Sequence, residues 1–487
     1  MTSRRTFVKA AAGIAAAGVC GSWIGKALAT ARGNTPLNVL FLMCDQHRPD
    51  AIGKYGDPYA LTPAMDSLVA DGMGLRQTYC QGPICVASRN SILTGRYVHS
   101  TGVLSNGYKA NRSQISFAQV LRKQGYKTAC FGKLHTPGRE DLDWDVYVEG
   151  SHYPPGKVPP GGVLLESGLN AQNGNRIGAP YPFDENTTLE WRAKEDTIAF
   201  MKANISRPWL IQCSCKRPHP PFQPPKKYWD MIDRSRLQVP HSPPGDLKDC
   251  NPRYLESLRH RGMENLTDEQ VRDGMQGYYG NLAFADAMFA QVLKALDDLG
   301  LRQNTLVIYT ADHGEMLYEH RLWTKMVFFD PSVRVPLIVR LPEVVAAGKQ
   351  STALVESIDL FPTIMEFLGK PTPASVQGRS LAGLLTGKTD QHRTVVRSEF
   401  PNGKSRSGGY EPTMMQFDGR FKVVDNGPDL PPELYDHSTD PHEYANLHDR
   451  PEHKERLGKT IAELRAWVKQ DVAPSQRKGG GETNVDE

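Results

Sequence analysis

Three short runs constrain this chain more than anything else in it. Leu37–Cys44 (LNVLFLMC), Pro208–Cys215 (PWLIQCSC) and Thr305–Ala311 (TLVIYTA) are largely apolar without alternation. Runs of that length and pattern fit strands buried on both faces, as parallel sheets require. Tyr126–Phe131 and Val335–Leu341 read as further strands. Helical patterns lie between them. Thr62-Pro63 opens one to about Asp71, with Thr as N-cap and Pro in the first turn. Ser116–Gln124 forms another. Thr267 and Gln270 make a capping-box pattern that starts a long helix to about Leu299. Strands alternating with helices predict an α/β fold with a mixed, mostly parallel sheet between helices.

Ligands of such sheets gather at the carboxyl ends of the strands. The first run ends in Asp45-Gln46-His47-Arg48, and the strand at 126–131 ends in Gly132-Lys133-Leu134-His135. The run at 208–215 leads into Lys216-Arg217-Pro218-His219, and that at 305–311 into Asp312-His313-Gly314. Four strands that deliver acids, amides, histidines and lysines to one rim predict a site there.

The chain's two ends read differently from its body. Residues 1–29 hold Arg4-Arg5, a short Gly/Ala-rich apolar stretch and Ala27-Leu28-Ala29. That pattern resembles a Tat export signal and predicts a periplasmic or secreted protein, carried by the Tat translocase. No run of 18 apolar residues is present, so no stable membrane anchor is expected. Removing the signal's four basic residues leaves 54 basic against 54 acidic residues. A neutral body gives no general affinity for nucleic acid. Cys20 leaves with the signal. Cys44, Cys80, Cys85, Cys130, Cys213, Cys215 and Cys250 remain, an odd number, and their pairing is open.

The stretch 138–207 is rich in Gly, Pro, Tyr and Asn and reads as a long functional loop region. The composition shifts again after Gly387. Residues 36–387 are expected to form the main domain and 388–474 a small α+β subdomain. Its strands fall at Thr394–Phe400, Met414–Phe417, Phe421–Val424 and Glu433–Asp436, with a hairpin at Asp418-Gly419. An amphipathic helix follows at 450–469, and 475–487 reads as a disordered tail.

The most specific segment is Cys85-Val86-Ala87-Ser88-Arg89, followed by Thr94-Gly95-Arg96. A cysteine that begins a helix meets unpaired N–H groups and the positive end of the dipole, which favour developing negative charge. Arg89, one turn on, falls on the same face. The segment resembles the type I sulfatase signature, C-x-P/A-x-R with a helix ending in T-G-R. The resemblance runs from about Asn38 to Asn446 and takes in YKTACFGKLH, RPHPPF, TADHGE and ELYDHSTDPHEYANL. It implies an alkaline phosphatase superfamily fold and a sulfuric ester hydrolase. Cys85 would be converted by a maturase to formylglycine, whose hydrate is the nucleophile, and Arg89 would hold the deprotonated diol. Ala87 stands where most members carry Pro.

By the same resemblance Asp45, Gln46, Asp312 and His313, with residue 85, would bind one divalent cation. Calcium is the expected ion, with manganese or magnesium open because Gln46 stands where the family more often has Asp. Lys133 would bind sulfate, and His135 would take the proton from the hemiacetal hydroxyl. His219 would reach the bridging oxygen, Lys325 another sulfate oxygen, and Asn106 the transferred group. His99, His320 and Arg48 are expected beside the site rather than in it. Gln46 and His313 also resemble the phosphonate monoester hydrolase branch, which makes a phosphonate or phosphodiester hydrolase the alternative. That branch carries hydroxyl residues where Lys133 and His135 stand, so sulfate is favoured. An exported binding protein without catalysis would lack a nucleophile or ligands, and none is missing. The substrate is expected among sulfated glycans, aryl sulfates and choline sulfate.

Overall fold

The computed structural model describes residues 36–149, 177–401 and 412–470, save 249, 253, 255, 257–262 and 264. The export pattern and the tail at 475–487 lie outside the described residues. The strands are β1 (Asn38–Asp45), β2 (Met73–Tyr79), β3 (Lys127–Gly132), β4 (Val146–Val148), β5 (Trp209–Pro218) and β6 (Thr305–Ala311). They continue as β7 (Arg334–Arg340), β8 (Lys349–Glu356), β9 (Val396–Pro401), β10 (Pro412–Phe417), β11 (Phe421–Asp425) and β12 (Glu433–Asp436). The longer helices are α1 (Pro63–Asp71), α2 (Cys85–Thr94), α3 (Phe117–Lys123), α4 (Leu189–Ala203), α5 (Asp268–Asp298), α6 (Leu360–Phe367) and α7 (Lys454–Trp467).

The large sheet has the order β4-β3-β5-β1-β6-β7-β2-β8. Only β7 runs antiparallel to its neighbours. Every residue of β1 is buried, because helices cover both faces. Leu40 and Leu42 face a core half built with α1, α4 and α5, including Met65, Met201, Tyr278 and Phe289. Val39, Phe41 and Met43 face the half built with α2, α3 and α6, including Ile92, Phe117 and Phe361. Both faces being apolar is why the run carries no alternation.

The capping box of α5 forms as expected, with Thr267 and Gln270 each satisfying the other's backbone. Thr267→Ala should cost about 1 kcal/mol, read as a lowered urea midpoint with activity per folded molecule unchanged. Thr62, by contrast, does not cap α1 with its side chain. Its hydroxyl accepts from Gly53 N instead. The carboxylate of Asp286, on α5, takes the N–H groups of Ala64 and Met65 at 3.0 and 2.9 Å.

The reading of 138–207 as loop needs correction. Its described part contains β4 and the 15-residue helix α4, capped by Thr188. The smaller sheet, β12-β11-β10-β9, is antiparallel throughout. Its β10–β11 hairpin turns at Gly419, whose φ of 95° suits glycine. Leu464 and Trp467 of α7 pack with Met414, Tyr97 and Ile358, which binds this layer to the large sheet's side.

Candidate active site

Strands β3, β5, β1 and β6 are neighbours and parallel, so their carboxyl ends share one rim. Each delivers the residues read from the sequence. At the end of β1, Asp45 is fully buried and Gln46 turns the chain in a left-handed conformation, φ 67°. At the end of β3, Gly132 sits at φ 95°, and a Cβ there would lie 1.9 Å from the Ser214 carbonyl oxygen. Only glycine permits that approach, which lets Lys133 N bond Ser214 O at 3.0 Å and aims the lysine across β5 toward β1.

Cys85 is the first residue of α2, a helix buried along its whole length. Ile84, at the N-cap, offers no side-chain cap. Asn106 supplies one from outside, its Oδ1 accepting from Val86 N at 3.1 Å. At the other end Gly95, φ 65°, closes the helix. Ser88 Oγ donates to Asp312 O at 2.5 Å and fixes the helix to the end of β6.

The Cys85 sulfur is the centre of the cluster. His313 Nε2 and Lys325 Nζ each lie 3.2 Å from it, Lys133 Nζ 3.7 Å and Asp45 Oδ1 3.8 Å. Burial and the Asp45 charge push this thiol up, but Lys133, Lys325 and His313 together hold it well below the usual range. Asp45 feels the same field. Burial raises it, yet Lys133, His219, Lys325 and Arg89 keep it well below an ordinary carboxyl.

Arg89 ties the two acids together. Its Nε donates to Asp312 Oδ2 at 2.7 Å and a terminal nitrogen to Asp45 Oδ2 at 3.0 Å. Its other terminal nitrogen bonds Lys133 O at 2.7 Å and Ser214 Oγ at 3.2 Å. Lys133 Nζ pairs with Asp45 Oδ2 at 2.5 Å. Lys325 Nζ reaches Gln46 Oε1 at 2.8 Å. His219 belongs to the same cluster. Burial and the charges of Lys325 and Lys133 drive its imidazole down to about 3, so it stays neutral near pH 7. His135 touches none of these groups, but its Nδ1 is buried and unpartnered.

The donor set fits a divalent cation. Asp45, Cys85, Asp312 and His313 each present a ligand atom, and these lie within 4.8 Å of one another. The Nδ1 of His313 donates to Gly314 O at 3.0 Å, which makes Nε2 the nitrogen that faces the cluster. Two carboxylates, an amide oxygen and one imidazole suit a hard or borderline ion. A second group, Asp330, His437 and Glu443, has similar ligand types. There the Lys422 ammonium pairs with Asp330 at 2.5 Å and with Glu443, so the chain supplies its own cation.

The residues expected beside the site play structural parts. Arg48 pairs with Glu319. His99 pairs with Glu399 of β9 at 2.7 Å and stacks on Tyr97. His320 stacks on Phe329. The seven described cysteines are free and buried, and among them Cys85 alone enters the cluster.

A model described as Sulfatase matches residues 37–370. The chain belongs to the sulfatase family. A second model, N-sulphoglucosamine sulphohydrolase, C-terminal, matches residues 318–470 of this sulfatase. An arylsulfatase of Clostridium perfringens is 27% identical over 458 residues, which cover 86% of this chain and 92% of the relative. An ulvan-active sulfatase of Formosa agariphila is 28% identical over 469 residues, covering 88% and 82%. The solved phosphonate monoester hydrolase of Silicibacter pomeroyi superposes with a TM-score of 0.78 at 27% identity, covering 89% of this chain and 96% of that one. The fold is that of the alkaline phosphatase superfamily, and the enzyme class is sulfuric ester hydrolase.

Two residues of this sulfatase's site went unread in the sequence. Glu315, fully buried, bonds Gln46 Nε2. Ser214 supports Arg89. The signal for Glu315 was a third acid-or-imidazole residue in TADHGE; Ser214, inside an apolar run, left none.

Proposed function

We propose that the protein hydrolyses a sulfate ester through a formylglycine made from Cys85 by a maturase. The observation that carries this reading is the Cys85 sulfur, at the start of a buried helix and ringed by Lys133, Lys325, His313 and Asp45. The sulfur stands in for the oxygens of the hydrated aldehyde. One hydroxyl of that hydrate attacks the sulfur of the sulfate ester in line, the bond to the alcohol oxygen breaks, and the hydroxyl's proton ends on that oxygen. His219, neutral and with Nδ1 donating to Pro220 O at 2.7 Å, has an Nε2 that can only accept, so it would take the attacking hydroxyl's proton and pass it to the departing oxygen. Lys133 and Lys325 offset charge on the sulfate oxygens. His135 would take the proton of the second hydroxyl, expelling sulfate and restoring the aldehyde; its Nδ1, buried and unpartnered, is open to accept a proton. Asp45, Gln46, Asp312 and His313 would hold one divalent cation, calcium first, with manganese or magnesium the alternatives. When bound it supplies positive charge for the attacking hydroxyl and the transferring group. Arg89 orients both carboxylates and favours their ionised forms, although burial and the Asp45 charge leave Asp312 above its ordinary value. Asn106, by capping α2, holds the nucleophile in place.

The substrate class we propose is a sulfated glycan or small sulfate ester. The ulvan-active relative supports the former and the arylsulfatase the latter. The twin-arginine pattern supports export by the Tat translocase to the periplasm or beyond.

Mass measurement of the tryptic peptide Gln77–Arg89 tests the nucleophile. An aldehyde at position 85 is expected in active enzyme; unmodified cysteine in fully active enzyme would overturn the mechanism. A second reading, phosphonate or phosphodiester hydrolysis, is favoured by the Silicibacter structure and by Gln46 with His313. Lys133 and His135 argue for sulfate. On a matched aryl pair, kcat/KM for the sulfate should exceed that for the phosphonate by at least about tenfold, or about 1.4 kcal/mol in barrier.

A further inference from the structure

An amide ligand presents its oxygen or, after a half-turn, its NH₂ group, and only the oxygen can face a cation. Where this chain has Gln46, something must choose. The choice rests on the metal-site reading above, and the structure shows what makes it.

The backbone of Gln46 is pinned on both sides. Its N–H donates to Asp312 Oδ1 at 3.1 Å, and its carbonyl accepts from the Tyr278 hydroxyl at 3.2 Å. The side chain lies between two groups of opposite character. Lys325 Nζ, which can only donate, sits 2.8 Å from Oε1. Glu315 Oε2 accepts from Nε2. The other Glu315 oxygen accepts from Leu317 N at 2.9 Å and Thr324 N at 2.6 Å. Glu315 is fully buried and so shielded from bulk solvent. Because Lys325 can only donate and takes Oε1, the Nε2 end of the amide is the one left to donate to Glu315 Oε2. Glu315 therefore receives the NH₂ end of Gln46 and turns the oxygen the other way.

The same carboxylate shapes the loop that carries Lys325. Thr324 sits at φ 69° and Met326 at φ 74°, conformations that need outside support in residues with a Cβ. The bond to Thr324 N supplies it one residue before the lysine.

We propose that Glu315 is a positioning residue that fixes the Gln46 amide with its oxygen toward the cation and sets Lys325 beside it. The arrangement is a carboxylate behind a neutral ligand, which also strengthens that ligand's donor oxygen.

Direct metal binding tests this without turnover. The full chain is stripped with chelator and titrated with Mn²⁺, followed by the signal of free ion, and with Ca²⁺ by calorimetry. In Glu315→Gln, the new amide keeps its oxygen on the loop N–H groups and offers NH₂ to Gln46, which must flip. Affinity for both ions should fall about 10- to 100-fold. The swap of Gln46→Glu with Glu315→Gln restores complementarity. The amide now at position 315 would donate to one oxygen of the carboxylate now at position 46, while the other oxygen faces the ion. Its affinity should return to within about threefold of wild type, a gap under ~1 kcal/mol. Binding by E315Q equal to wild type overturns the inference alone. A swap variant as weak as E315Q also overturns it. A wild type that binds neither ion overturns the metal-site reading and this inference with it. If E315Q does not fold, the swap variant decides: affinity near wild type supports the inference, and loss of affinity overturns it.

Discussion

Cys85→Ala should remove turnover and leave the fold standing. The sulfur lies within 3.2 to 3.8 Å of His313, Lys325, Lys133 and Asp45, so no other nucleophile candidate occupies the centre of the cluster. Loss of a covalent nucleophile typically costs about 10⁴-fold or more in kcat. Structurally the change is small. One buried atom disappears from the first turn of α2, and the helix keeps its Asn106 cap and the Ser88 bond to Asp312 O. The stability cost should be about 1 kcal/mol, the centre of the range for single substitutions. Initial rates on an aryl sulfate and a urea unfolding curve check both halves. Cys85→Ser sharpens the result. It keeps a hydroxyl in place of the sulfur, so it should be as inactive as Cys85→Ala wherever the maturase cannot oxidise serine. A residual rate above about 1% of wild type, roughly 2.7 kcal/mol of barrier, in Cys85→Ala would exclude residue 85 as the nucleophile.

Much of this was legible in the sequence because the central strands have no solvent face. β1 and β6 are buried at every position, and an unbroken apolar run is the only pattern that meets that demand. Each then ends abruptly in polar residues, which marked the rim before any geometry was known. The edges were illegible for the opposite reason. β8 is exposed or half-exposed over its first five residues, Lys349–Ala353, and β2 carries Arg76 and Gln77 half-buried in its middle. Such sequences resemble loops. Helix α4 was hidden by its surroundings: the Gly- and Pro-rich stretch before it set the expectation, although Thr188 marks its start. Asp286 as the cap of α1 could not be read either, since it lies 222 positions away from Ala64. At the site, the strand-end clusters and the motifs that resemble the sulfatase signature identified the groups that meet the cluster centre. They did not reveal Glu315, whose part depends on which end of Gln46 it faces.

Arg89→Ala should produce the largest loss of stability of any single change at the site. The guanidinium is 2% exposed and the two carboxylates it bridges are 0% exposed. Its planar fork meets Asp312, Asp45, Lys133 O and Ser214 Oγ at once. Removing it leaves Asp312 with only the His313 imidazole, 3.6 Å away, and Asp45 with Lys133 at 2.5 Å as its nearest cation. Stripping one partner from a buried ion pair costs about 3–5 kcal/mol. A divalent cation held at the proposed site would bind the native state only and would oppose this loss by mass action. The destabilisation should be greatest in chelator-treated protein and smaller when the ion is in excess, because the ion then supplies the positive charge the arginine gave. Arg89→Lys is predicted to fall between wild type and Arg89→Ala. A lysine keeps the charge, but a point charge can serve one carboxylate at a time and cannot reach the backbone of Lys133 as well. Urea midpoints for the three proteins, each with and without calcium, separate these contributions. A midpoint for stripped Arg89→Ala within about 1 kcal/mol of wild type would mean that the acids do not rely on Arg89. A shift in Arg89→Ala unaffected by calcium would mean that the ion and the arginine do not share them.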